Sequence, residues 1–202
     1  METISTGSAS PERIGIFGGS FNPVHIGHMM LASYLSQWGY VDKVWLTLSP
    51  QNPFKDSGAL LPDMKRLAML SIAAKGARNI DICDIELTMP RPSYTIDTLR
   101  LLRDRYPECR FRLIVGSDNW KVFERWREPQ AILDEFGVLV YPRPGYPVEF
   151  RNVDGLEVVQ SPMVHLSSSF IRDAIARGRD MNYFLPPGVY KYIIDNKLYA
   201  KQ

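Results

Sequence analysis

Ile14-Gly15-Ile16-Phe17-Gly18-Gly19-Ser20-Phe21-Asn22-Pro23-Val24-His25-Ile26-Gly27-His28 is the stretch on which the reading of the whole chain turns. Ile14, Ile16 and Phe17 make a short apolar run that reads as a buried strand. Gly18-Gly19 breaks the run, and Asn22-Pro23 adds a second turn signal. After His28, Met29, Met30, Leu31, Tyr34, Leu35 and Trp38 recur at helical spacing. A strand thus passes through a glycine turn into a helix N-terminus. The first N–H groups of a helix lack intrahelical partners, and the positive end of its dipole lies beside them. Glycines let a phosphate approach such a backbone closely. His25 and His28 lie three residues apart, so on a helix they share a face, and each can donate a hydrogen bond to a phosphate oxygen.

Working outward, apolar strand signals alternate with helical segments. Strands are expected at Lys43–Leu48, Ile80–Ile85, Arg110–Val115, Gly137–Tyr141 and Leu156–Val159. Helices are expected at Asp63–Lys75, Thr95–Tyr106 (with Ser93 or Thr95 near the cap), Pro129–Glu135, Ser167–Arg177 and Pro187–Asn196. This alternation predicts an α/β fold: a Rossmann-like, doubly wound, mostly parallel sheet with helices on both faces. Ligands of such sheets sit beyond the carboxyl ends of the strands, where the strand order reverses. Gly18–His28, Ser49–Lys55 and Gly116–Asp118 are polar stretches at such ends, and Ser167–Arg172 follows the last strand. Pro142–Asn152, rich in proline and glycine, reads as a surface excursion.

The 202 residues suit one domain, with residues 1–11 a polar N-terminal extension and residues 12–202 the folded unit. Residues 160–202 are expected to form a small helical subdomain. A net charge of +2, with both signs mixed along the chain, gives no basic stripe for a nucleic acid. Cys83 and Cys109 make no disulfide framework, the first residues lack the apolar core of a secretory signal, and no apolar run reaches membrane length. The expectation is a cytoplasmic protein that binds neither nucleic acid nor membrane. A homo-oligomer stays open.

Gly18-Gly19-Ser20-Phe21-Asn22-Pro23-Val24-His25-Ile26-Gly27-His28 resembles the GGTFDPxHxGH signature of the His-x-Gly-His nucleotidyltransferase superfamily, with Ser20 in place of Thr and Asn22 in place of Asp. His165-Leu166-Ser167-Ser168-Ser169-Phe170-Ile171-Arg172 resembles its ISSTxIR segment, and Ile114-Val115-Gly116-Ser117-Asp118 its GxD strand end. Ser93-Tyr94-Thr95-Ile96-Asp97-Thr98-Leu99 and the ending Leu185 to Tyr199 resemble bacterial nicotinate mononucleotide adenylyltransferases. Ser49 to Lys55 resembles the P-x-x-x-P-H-K loop of the same family, with Phe54 in place of His.

The resemblance spans about Arg13 to Tyr199 and implies transfer of AMP from ATP to nicotinate mononucleotide. It implies ATP contacts from Gly18, Gly19, Ser20, Phe21, His25, His28, Gly116, Asp118, Ser167, Ser168, Ser169 and Arg172, with His28, His25 and Arg172 catalytic. The mononucleotide would meet Ser20, Lys55, Tyr94, Thr95 and Trp126, the last stacking on the pyridine ring. No carboxylate cluster for a metal appears, so Mg2+ is expected to ride on the ATP phosphates. Rival readings are a different acceptor (nicotinamide mononucleotide, pantetheine phosphate or, for CMP transfer, an alcohol phosphate), a class I aminoacyl-tRNA synthetase fragment spelling HIGH at 25–28, a nucleotide sensor without turnover, and a zinc protein using His25 and His28. The absence of a KMSKS-like loop and of further zinc-ligand spacing speaks against the second and the last.

Overall fold

The computed structural model describes residues 10–50, 60–148 and 153–200. Six strands form one sheet: β1 (Glu12–Gly19), β2 (Lys43–Leu48), β3 (Ile80–Cys83), β4 (Cys109–Gly116), β5 (Val138–Tyr141) and β6 (Leu156–Val158). Their order is β3-β2-β1-β4-β5-β6, and every pairing is parallel. The order reverses between β1 and β4, so the crevice at their carboxyl ends is the place where a ligand is expected. Gly18-Gly19 and Gly116 lie at those ends.

Alternation along β1 and β4 explains the two apolar layers. Phe17 and Ile114 face one layer with Leu46, Leu48 and Leu139. Helices α1 (Ile26–Gln37), α2 (Asp63–Ala74), α6 (Ser168–Ala176) and α7 (Val189–Asp195) cover that face, burying Leu35, Met69, Leu70, Ile171, Ile175, Val189 and Ile193. Ile14, Ile16, Leu113 and Val115 face the other layer, covered by α3 (Thr95–Arg105) and α5 (Pro129–Glu135) through Ile96, Leu99, Leu102, Ile132 and Leu133. One further short turn of helix, α4 (Ser117–Trp120), leaves β4 directly. Residues of α6 and α7 share the larger apolar layer, so the chain from residue 168 onward packs into the main core.

Three local expectations are corrected. The run Ile80–Ile85 is strand only to Cys83; Ile85–Thr88 turn into a 3-10 helix that buries Glu86. The first helix begins at Ile26, ahead of His28, because His25 is extended at φ −141° and serves as its N-cap. Neither Ser93 nor Thr95 caps α3: the N-cap is Tyr94, Thr95 is already helical, and the Ser93 hydroxyl is drawn to Glu86.

Candidate active site

The turn after β1 is shaped by ring packing. Phe21 is buried and holds a left-handed backbone, φ 42°, rare for a non-glycine residue and characteristic of strained functional turns. Its ring lies over Gly19, where an added Cβ would meet Phe21 carbons at 3.0–3.3 Å. The same ring stands edge-on to His28 at 5.1 Å and to Phe17 at 5.9 Å. At Gly18 no atom lies within 4 Å of an added Cβ, so open space faces that position.

His25 and His28 stack on one another, ring centroids 3.6 Å apart. The His25 backbone N–H donates to His28 Nδ1 at 3.1 Å. An accepting Nδ1 carries no proton, so a neutral His28 holds its proton on Nε2. His25 is only 3% exposed. Burial, helped by the charge of Arg143, pulls its pKa down to about 4, so the ring is neutral at pH 7. Its Nδ1 is buried and has no hydrogen-bond partner among the described residues. Gly27 makes room for this ring: a Cβ there would lie 3.1 Å from both His25 Cε1 and Nδ1.

Helix α6 brings the second motif onto the first. Ser167 caps it, accepting from the Phe170 N–H at 3.2 Å. Ser168 Oγ donates to Pro23 O at 2.9 Å, and Arg172 donates to Asn22 O at 2.8 Å and to Ser169 Oγ at 3.1 Å. Asn22 is buried, and its side-chain oxygen accepts from Tyr199 Oη at 2.7 Å and from the Leu61 N–H at 3.4 Å. Three distant segments therefore converge on the turn after β1.

Across the reversal point, Gly116 ends β4 and Asp118 follows in α4. Asp118 Oδ1 sits where a Gly116 side chain would be, buried and without a hydrogen-bond partner among the described residues. Its Oδ2 lies 3.7 Å from Arg143 Nε. His25, His28, Phe17, Tyr141 and Arg143 line one cleft of about 330 Å³ that runs along α1. A second group of expected residues lies apart, at the start of α3. Tyr94 is the half-exposed N-cap, and the Arg127 guanidinium sits 4.8 Å above its ring while donating to Asp97 at 3.3 Å. Trp126 packs against Phe123 at 5.4 Å, with its indole N–H buried and unpartnered among the described residues. Lys55 lies outside the described residues, as does Phe54.

Three polar residues escaped the sequence reading. Arg143 was hidden in a stretch read as a surface excursion, yet it sits in the cleft and its backbone N–H donates to Ser117 Oγ at 2.8 Å. Its place just beyond the carboxyl end of β5 was the available signal. Arg66 and Glu86 are buried charges beneath the site, and no local pattern marks either one.

A strand–glycine turn–helix with a stacked His-x-Gly-His pair, at the reversal point of a parallel sheet, is the arrangement of an α/β protein of the nucleotidyltransferase class. Residues 16–174 match the family model described as cytidylyltransferase-like. The chain is 49% identical over 183 residues to a probable nicotinate-nucleotide adenylyltransferase of Bacteroides fragilis, covering 90% of this chain and 91% of that one. A protein of the same name from Flavobacterium johnsoniae is 38% identical over 192 residues, covering 94% of this chain and 100% of that one. The fold is also that of the Plasmodium falciparum nicotinic acid mononucleotide adenylyltransferase complexed with NaAD, with a TM-score of 0.75, 22% identity and coverage of 93% and 97%. The chain belongs to the cytidylyltransferase-like family, among its nicotinate-nucleotide adenylyltransferases.

Proposed function

We propose that the protein transfers AMP from ATP to nicotinate mononucleotide by direct in-line attack, giving deamido-NAD and pyrophosphate. The stacked, tautomer-fixed histidine pair beside an open glycine turn carries this reading. The attacking oxygen belongs to the mononucleotide phosphate, whose second pKa near ~6 leaves it mostly dianionic at neutral pH. It needs no protein base. An oxygen of that phosphate forms a bond to the α-phosphorus while the bond from the α-phosphorus to the bridging β-oxygen breaks, and pyrophosphate leaves with the electron pair. The chemical task is to hold two anions in line and to meet negative charge as it builds.

Each side chain has a part in that task. His28 offers Nε2–H to the α-phosphate, and neutral His25, stacked against it, keeps the ring in place and the tautomer fixed. Gly18 and Gly19 let the triphosphate lie against the backbone. Arg172, Ser168 and Ser169 at the α6 N-terminus take the β- and γ-phosphates, exchanging some of their present contacts with Asn22, Pro23 and one another for phosphate oxygens. Asp118 Oδ1, buried and without a partner among the described residues, is an acceptor suited to a ribose hydroxyl. Ser20, Tyr94, Thr95 and Trp126 receive the mononucleotide, with Lys55 contributing a cation. Among the described residues no group of three or more His, Cys, Asp or Glu could hold a metal ion. Magnesium carried on the ATP phosphates would neutralise part of their charge beside Arg172 and Ser168. A cytoplasmic location belongs to the same reading.

The test is pyrophosphate release from ATP and magnesium, with nicotinate and nicotinamide mononucleotides as parallel acceptors. Strong preference for the acid supports the reading, because donors arranged for a carboxylate are left unmatched by the amide. Equal use of both removes the acid pocket at Tyr94 and Thr95. No turnover with either acceptor overturns the assignment.

A further inference from the structure

Arg66 is completely buried, with 0% exposure, in the first turn of α2. A guanidinium has five N–H donors, and all five are used here. Nε donates to Leu61 O at 3.0 Å, Nη1 to Ser20 O at 2.6 Å and Ser49 O at 2.8 Å, and Nη2 to Pro50 O at 3.1 Å and Asp63 Oδ1 at 2.5 Å. One side chain thereby ties the turn after β1 to the chain leaving β2 and to the chain entering α2.

Glu86 is the counterpart on the other side of Ser49. Its carboxylate accepts from three hydroxyls: Ser49 Oγ at 3.1 Å, Ser93 Oγ at 3.2 Å and Thr98 Oγ1 at 3.1 Å. Burial raises its pKa, and the three hydroxyls act in the opposite sense. Ser49 uses every polar group it has. Its N–H donates to Gly19 O at 2.9 Å, its carbonyl accepts from Arg66, and its hydroxyl donates to Glu86. The result is an unbroken run of polar contacts, partly to fully buried, from Ser20 through Arg66, Ser49 and Glu86 to Ser93 and Thr98. One end is the glycine turn that faces the triphosphate. The other flanks Tyr94 and Thr95, where α3 begins.

We propose that Arg66, Ser49 and Glu86 are positioning residues that set the distance between the triphosphate turn and the α3 N-terminus, and so couple the two substrate sites. The proposal rests on the two-site reading given above. Buried charges are costly, and a core built only for stability is served as well by apolar side chains. A charged run that joins two loops of separate sites instead specifies their relative placement, which is what an in-line attack requires. None of the three side chains is required to touch a substrate.

The test uses Ser49→Ala and Glu86→Gln in the full chain. Ser49→Ala leaves the Arg66 contacts and removes only the hydroxyl link to Glu86. Expected is a kcat lower by roughly tenfold to a hundredfold, the size of effect that misplacement of reacting groups produces. The KM for ATP should stay within about twofold, since its own contacts are untouched. Wild-type turnover tests the functional reading, whereas the ratio of variant to wild type tests the coupling, so the two fail separately. A second readout is independent of turnover: amide exchange across residues 93–98 with and without a non-hydrolysable ATP analogue. In the wild type the analogue should slow exchange there by about fivefold or more, the lower end of ordinary site coupling, and in Ser49→Ala it should not. The proposal is overturned by wild-type kcat in both folded variants, by a lowered melting temperature with full activity, or by no effect of the analogue on residues 93–98.

Discussion

Gly27→Ala separates the stability of the protein from its activity, and the structure sets the size of both effects. Gly27 is the second residue of α1, where alanine gains up to about 1 kcal/mol of helix propensity over glycine. Against this, the new Cβ would lie 3.1 Å from two atoms of the His25 ring, where carbon atoms prefer about 3.5–4.0 Å. His25 is buried, and His28 stands 3.6 Å away in the stack, so His28 closes one side of the ring. Overpacking of this kind costs about 1–3 kcal/mol. The two effects nearly offset, leaving a net destabilisation of about 0–2 kcal/mol. Activity has no such offset. A displaced His25 carries His28 with it, and small misplacements near the reacting atoms cost roughly tenfold to a hundredfold in rate. Urea denaturation and pyrophosphate release on the same preparation measure the two effects. A variant with wild-type kcat would refute the claim that Gly27 sets the histidine pair.

Gly18→Ala should leave the denaturation midpoint almost unchanged, because nothing lies within 4 Å of the new methyl, while the KM for ATP rises as the methyl blocks phosphate from the backbone; an unchanged KM places the triphosphate elsewhere. His25 gives stability a pH dependence. Its folded pKa of about 4 lies below its ordinary value of 6.5, so the unfolded chain takes up the proton first, and stability present above pH 6.5 is lost as pH falls through about 4. Relative to His25→Gln, the wild type should lose about 3 kcal/mol between pH 7 and 4, and parallel stability curves would contradict this. Arg66→Met leaves four carbonyl oxygens without their donor and should cost about 3–5 kcal/mol in chemical denaturation. A loss below about 1 kcal/mol would show that the guanidinium is replaceable.

The strand–turn–helix at residues 14–28 was legible because it is local: apolar run, glycines, proline and paired histidines follow one another within fifteen positions. The parallel sheet followed from the alternation of elements, and every strand was located. The ends of elements were less legible, since they depend on tertiary partners. Ile85 continues an apolar run, yet the chain turns there so that Glu86 can reach Ser49, Ser93 and Thr98. Arg66 sits in Asp63-Met64-Lys65-Arg66-Leu67, where a charged residue beside a lysine reads as solvated helix surface. Its burial is set by backbone carbonyls of the nearby Leu61 and of two segments remote in sequence, at Ser20 and at Ser49-Pro50, which no local pattern encodes. The separation of the α3 start from the histidine pair was likewise invisible, because only the folded sheet assigns α1 and α3 to opposite faces.

The fastening of Asn22 by residues far down the chain bears on biosynthesis. Tyr199, which donates to the Asn22 side chain, is 177 residues later in sequence, and Arg172, which donates to its carbonyl, is 150 later. At ordinary translation speeds of about 5–20 residues per second, roughly 10–35 s separate synthesis of Asn22 from that of Tyr199. Through that interval the nascent polypeptide can pair its first strands while its turn still lacks these clasps. Both clasps thus reach the turn late on the ribosome, and a chain cut short before Tyr199 lacks that hold on Asn22.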